Sequence, residues 1–158
     1  RFVLHAAALW MVGVTAFLGT IVYLGTVIAV EHSYGAAFYL DRDAVHAINW
    51  LGTHASRDSI ILSRDYYTGN TIPARTGLRV YIGHGHQTAH YDAKHATMQW
   101  FYGSNNDDAA KETFLHDARI TYVFFSQSEQ SLGFFQPQQK RYLQPVFTDG
   151  SATVFAVR

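Results

Sequence analysis

The residues able to do chemistry crowd into one stretch, 68–95, TGNTIPARTGLRVYIGHGHQTAHYDAKH. It holds four glycines, four histidines, two arginines and one lysine. A phosphate loop is the first chemistry to weigh. It needs glycines, free backbone N–H groups and a helix start. TGNTIPARTG follows an apolar run, the expected place for such a loop, but it lacks the G-x-x-x-x-G-K-[ST] spacing. Gly83 and Gly85 give G-x-G, yet Thr88 stands where the dinucleotide fingerprint has its third glycine. The glycines therefore read as turns at strand ends.

Metal is the second chemistry. His84, His86, His90 and His95 offer imidazoles and Asp92 a carboxylate. No recognised ligand spacing such as H-E-x-x-H is present. The expectation is no metal site, with the imidazoles bonding backbone carbonyls. Nucleophilic catalysis is the third. Ser63, His84 and Asp65 are the residue types of a hydrolase triad, but ILSRD lacks the G-x-S-x-G elbow that exposes a nucleophile. No paired carboxylates stand out, so no residue is assigned a catalytic role. Arg75 and Arg79 flank Thr76-Gly77. They can take an anion bidentately or form surface salt bridges, with Asp65 or Asp92 as partners.

The ends of the chain frame this stretch. A chain of 158 residues allows about one ordinary domain. Zero net charge gives no basic field for nucleic acid. There is no cysteine, which excludes disulfide and thiolate chemistry. Residues 2–30 contain no Asp, Glu, Lys or Arg. That exceeds the roughly 20 apolar residues needed to cross a bilayer, and also the roughly 7–15 of a signal-peptide core. Residues 1–30 therefore read as a transmembrane helix. The chain opens on Arg1, and the expectation is a piece of a longer protein. Arg1 before the span, with Glu31 and His32 after it, puts the rest outside the cytosol by the positive-inside tendency. Residues 31–40 read as an interfacial linker, with Tyr34, Phe38 and Tyr39 suited to an aromatic belt.

Residues 41–158 read as an extracytosolic α/β domain. Asp41 caps a helix through RDAVHAINWLGTH, with Ala44, Ala47, Ile48 and Leu51 at helical spacing. SIILS, LRVYIG and ITYVFFS read as buried strands. Asp92 caps a second helix with Ala93, Thr97, Trp100 and Phe101 on one face. Asp107 and Asp108 open a third. Asp149-Gly150 between two apolar runs signals a hairpin. Strands alternating with helices predict a Rossmann-like three-layer sandwich, with a mostly parallel sheet and the closing antiparallel hairpin at an edge. Residues 127–139 are polar and ambiguous.

Taken together, WLG…SIILSRDYYTGNTIPARTGLRVYIGHGHQT…DAK resembles the C-terminal extracytosolic part, with the last transmembrane helix, of bacterial GT-C-like (mannosyltransferase-like) integral membrane glycosyltransferases. The matching pieces are Trp50-Leu51, Ile60 to Leu62, the loop from Thr68 to Arg79, Val80 to Thr88, and the closing YLQPVFTDGSATVFAVR. The resemblance implies transfer of a sugar from a polyprenyl-phosphate carrier at the outer membrane face. The catalytic acid would lie in an earlier loop absent here. This domain would then be non-catalytic and need no cofactor, and would assist acceptor binding or structure. Its partners would be membrane lipid, the upstream membrane part of the same chain, and a lipid-linked sugar or glycan acceptor. If the domain touches substrate, the loops at the strand ends nominate Asn70, Arg75, His84, His86 and Thr88. The alternative is a stand-alone membrane-anchored domain that binds a ligand or a metal.

Overall fold

The computed structural model describes residues 2–38 and 40–158; in the first helix, side chains are described for His5 and for residues 10–29. The chain divides into two compact units, Arg1–Tyr39 and Leu40–Arg158. The first is a single helix, α1 (Phe2–Phe38). Its stretch Trp10–Ala29 is long and apolar enough to cross a membrane, and none of it is buried. Trp10 is 72% exposed and Phe17 65%, so within its own unit the helix leaves its apolar surface uncovered. The hydroxyls of Thr15, Thr20 and Thr26 donate to carbonyls of the same helix at 2.8, 2.9 and 2.7 Å and so need no water. The helix runs on through 31–38, where the sequence suggested a linker. The side chains of Tyr34 and Phe38, and all of Tyr39, lie outside the described set.

The second unit begins with α2 (Arg42–His54). Asp41 Oδ1 accepts the Ala44 N–H at 2.6 Å, and Ala44, Ala47, Ile48 and Leu51 are fully buried. There follow β1 (Ile60–Leu62), α3 (Thr68–Thr76), β2 (Arg79–Val80), α4 (Tyr91–Gly103) and α5 (Asp108–Asp117). The chain then forms β3 (Tyr122–Phe125), the short α6 (Gln127–Gln130), a 3-10 turn at Pro137–Gln139, β4 (Leu143–Asp149) and β5 (Ala152–Val157). The strands form one sheet in the order β2-β1-β3-β5-β4. Alternation along β3 builds two cores. Val123 and Phe125 pack with Met98, Phe101, Tyr102 and Leu115 of α4 and α5. Phe124 and Tyr122 pack with Ile48, Leu51 and Ile72 of α2 and α3. Helices thus cover both faces.

Three expectations need correction. The sheet is mixed, not mostly parallel: β1 pairs parallel with β2 and β3, while β5 pairs antiparallel with β3 and β4. The hairpin is not wholly at an edge either, because β5 lies inside the sheet. Val154 and Phe155 are both fully buried, as a strand covered on two faces requires. β4 takes the edge, where Pro145 and its neighbouring register shift are tolerated. The second correction is α3, where a loop was expected. Ile72 buries against α2, and that packing outweighs the unfavourable Gly69 and Pro73. The third is α4. His90 precedes it, Asp92 lies in its first turn, and its buried side chains are Met98, Phe101 and Tyr102.

The Asp149-Gly150 hairpin forms as expected, and it is tied to α2. Gly150 sits at φ +48°, and an added Cβ would collide with the Asp43 carboxyl group. That carboxyl accepts the Ser151 N–H at 2.8 Å, and His46 Nδ1 lies 2.6 Å from Asp149 Oδ2.

The C-terminal ends of β1 and β3 are joined by Glu129, a fully buried residue of α6. Its Oε1 accepts the Arg64 N–H at 3.0 Å and the Thr68 hydroxyl. Its Oε2 accepts the Ser126 N–H at 2.9 Å and the Ser126 hydroxyl at 2.7 Å. One carboxyl group therefore ties the loop after β1, the first turn of α3 and the start of α6. Beside it the buried Tyr102 hydroxyl reaches the Leu62 and Phe124 carbonyls at 3.0 and 2.9 Å. Burial, then the Glu129 charge, holds that phenol well above its ordinary pKa.

Two predictions follow from these buried groups. Glu129→Gln keeps one accepting oxygen but puts an NH2, which only donates, against the two donors of the other, so it should cost about 1.5–3 kcal/mol, read by urea unfolding of the full chain in detergent. An unchanged midpoint would show that these hydrogen bonds do not hold the strand ends. Lys111 is also fully buried. It donates to the Ser104 carbonyl and lies 4.7 Å from the Phe135 ring centre. Burial, and then nearby Lys140, lowers its pKa. Between that lowered value and the unfolded value of about 10.4, the unfolded state holds the extra proton. The contribution of Lys111 to stability therefore rises with pH across that window. As pH rises through that window the urea midpoint of the parent chain should gain on that of Lys111→Met, the raised tyrosines being common to both; parallel profiles would assign the titration elsewhere.

Candidate functional site

Ligands of open α/β sheets gather beyond the C-terminal ends of the parallel strands, where neighbouring connections diverge. In this sheet the connection from β1 leads to β2 and the connection from β3 leads toward β5 and β4, so the divergence lies between β1 and β3. Glu129 and its four donors fill that place. An open cleft of ≈ 590 Å³ lies instead beside β2, lined by the start of α3, the turn after β2 and the first turn of α4.

Each wall has a local cause. Gly69 lets α3 lie directly on the end of β2: an added Cβ would collide with the Ile82 and Arg64 carbonyls. The histidine-rich segment closes on itself as a turn. The His84 carbonyl accepts the Gln87 and Thr88 N–H groups, both at 3.0 Å. Thr88 Oγ1 accepts the Gly83 N–H at 3.2 Å, and His84 Nδ1 accepts the His86 N–H at 3.3 Å. The strand expected over LRVYIG is thereby cut to two residues.

Behind the cleft stands a polar brace. Asp65, whose side chain is 7% exposed, accepts from the Tyr91 hydroxyl and lies 2.9 Å from His95 Nδ1. Burial raises the Tyr91 pKa, and the Asp65 hydrogen bond and charge add to it; the phenol remains a donor. Tyr66, at φ +54°, leans on Tyr91 with ring centres 5.9 Å apart and on His84 at 5.2 Å. Asn70 Nδ2 donates to the Tyr66 carbonyl at 3.1 Å. A non-glycine residue in the left-handed region persists only where its surroundings enforce it. Here they fix the ring that backs His84.

Of the residues nominated from sequence, Asn70, His84 and Thr88 line the cleft, and Arg75 and His86 do not. Arg75 is exposed on α3. Arg79 pairs with Asp58, donating to its carbonyl at 2.7 Å and lying 3.6 Å from its carboxyl, not with Asp65 or Asp92. The cation in the lining is Lys94, joined by Tyr81 and Gln87. Lys94 sits near the N-terminus of α4, where a positive charge opposes the helix dipole. That misplaced charge was the sequence signal that could have found it. Asp65 and His95 are 30 positions apart, and no local pattern joins them.

The lining contains no carboxyl group. The cleft is therefore equipped to recognise a ligand through amides, a hydroxyl, an imidazole and one ammonium, and holds no pair of carboxyl groups. The Asp65 contact sets the His95 ring through Nδ1, but His95 is not in the lining. Among the described residues, no group of three or more His, Asp or Glu side chains is placed to hold a metal ion.

No family model matches the chain, and no curated protein matches it. Among solved structures it is similar to the C-terminal globular domain of an oligosaccharyltransferase from Archaeoglobus fulgidus. The TM-score is 0.52 at 11% identity, over 76% of this chain and 99% of that domain. At this identity the likeness is one of fold. The fold neighbour is thus a domain of a glycosyltransferase, and it belongs to a protein unlike this one in sequence.

Proposed function

We propose that this chain is the C-terminal part of a membrane glycosyltransferase-like protein using a polyprenyl-phosphate-linked sugar. Its Leu40–Arg158 unit lies on the extracytosolic side, is non-catalytic, and assists acceptor binding. One observation carries the reading: a helix apolar enough to span a bilayer precedes a unit whose fold matches nearly the whole C-terminal globular domain of an oligosaccharyltransferase. The charges around the span support the orientation. The cleft chemistry supports assistance over catalysis, because its lining offers hydrogen bonds and one cation but no carboxyl group for glycosyl transfer. The partners are membrane lipid, the membrane part of the same protein, and a lipid-linked sugar or a glycan acceptor.

The test compares three preparations: the intact parent protein, the parent truncated before Leu40, and residues 40–158 alone. The separate domain should unfold cooperatively and transfer no sugar from any polyprenyl-phosphate donor. The truncated parent should lose acceptor affinity, seen as a raised KM for acceptor at a lesser change in kcat. Transfer by the separate domain, or unchanged acceptor kinetics after truncation, would contradict the proposal. In cell fractionation the chain of residues 1–158 should require detergent for release, and release by salt or carbonate alone would remove the spanning helix from the account.

A further inference from the structure

We infer that the cleft beside β2 is selective for an anionic sugar, with Lys94 as the residue that reads the negative charge. The sugar half of this inference rests on the proposed role in glycosyl transfer; the charge half rests on the cleft alone. Lys94 is the one formally charged side chain in the lining, and no Asp or Glu offsets it there. Its ammonium lies 5.2 Å from the centre of the Tyr81 ring, itself part of the wall. The ring holds the ammonium at the cleft surface through a cation–π contact. The cation also stands near the N-terminus of α4, so the helix dipole adds to its positive field rather than offsetting it. A negative ligand gains from both.

The rest of the lining suits hydroxyls. Asn70 commits its Nδ2 to the Tyr66 carbonyl, which leaves Oδ1 as an acceptor. Gln87 is exposed on the rim and offers both donor and acceptor. A volume of ≈ 590 Å³ falls within the range of about 300–1,000 Å³ that holds small ligands. Two sources present this chemistry: the glycosyl phosphate of a lipid-linked donor, and a carboxylated sugar of a glycan acceptor.

Both sources can be tested with the full chain in lipid nanodiscs, by calorimetric titration with glucose 1-phosphate, glucuronic acid, glucose and inorganic phosphate. At least one anionic sugar should bind about 10-fold or more tighter than glucose, the scale of one charge-assisted hydrogen bond. Lys94→Ala should erase that preference and Lys94→Arg should keep it. Arg141→Ala, an exposed residue just before β4 at the opposite edge of the sheet from β2, should leave it unchanged. Preference for glucose 1-phosphate alone would point to the donor phosphate, and preference for glucuronic acid alone to an acidic glycan. Equal binding of charged and neutral sugars, or an anion preference surviving Lys94→Ala, would overturn the inference while leaving the glycosyl-transfer reading standing. Inorganic phosphate binding as tightly as the sugars, or no sugar binding in the millimolar range, would also overturn it. The wider reading fails separately, through acceptor kinetics unchanged by loss of the domain.

Discussion

The buried carboxyl group of Glu129 is the interaction on which the arrangement of the domain depends. A carboxyl taken out of water costs several kcal/mol unless its oxygens are satisfied, and here two donors meet each oxygen. The donors come from the end of β1, the start of α3 and the start of α6. The same contact that satisfies the carboxyl therefore fixes where two helices leave the sheet. It also occupies the divergence between β1 and β3, the place where open α/β sheets receive ligands.

Closing that crevice moves the available space toward β2. There α3 lies close on the strand end because Gly69 carries no side chain, and a self-bonded turn carries His84 and Thr88 to the rim. Asp65 sets Tyr91 and His95 behind this wall, and Tyr66 transmits that order to His84 through ring contacts. The buried acids serve structure, while the groups facing the cleft are amides, an imidazole and a lysine. That division suits a domain that holds a ligand for chemistry performed elsewhere.

Much of the scaffold was legible in the sequence because its signals are local. Asp41 and the Ala44, Ala47, Ile48, Leu51 face specify α2 within a few turns, and Asp149-Gly150 marks the hairpin. The uncharged run through Trp10–Ala29 marks α1. What could not be read depended on distant partners. Helix α3 contains Gly69 and Pro73, which argue for a loop until Ile72 is seen against α2. The place of the hairpin depended on which strand is covered on both faces, and TVFAV reads the same in either place. Thr68 and Glu129 are 61 positions apart, so the contacts of Glu129 to the loop after β1 and to α3 left no local trace; only its capping box with Ser126 is local. The anion-binding expectation at Arg75 and Arg79 rested on neighbours in sequence. In the fold the cation of the cleft is Lys94, brought there by the turn through His84 to His90.

The central claim is that ligand binds beside β2 and not at the β1/β3 divergence closed by Glu129. Amide chemical-shift mapping on the full chain in detergent micelles, during titration with a soluble glycosyl phosphate, tests it directly. The account predicts shifts confined to Asn70, to Gly83 through Thr88 and to Lys94, with Ser126 through Gln130 unmoved. Shifts centred on Ser126 through Gln130, with the turn at Gly83 to Thr88 silent, would contradict it.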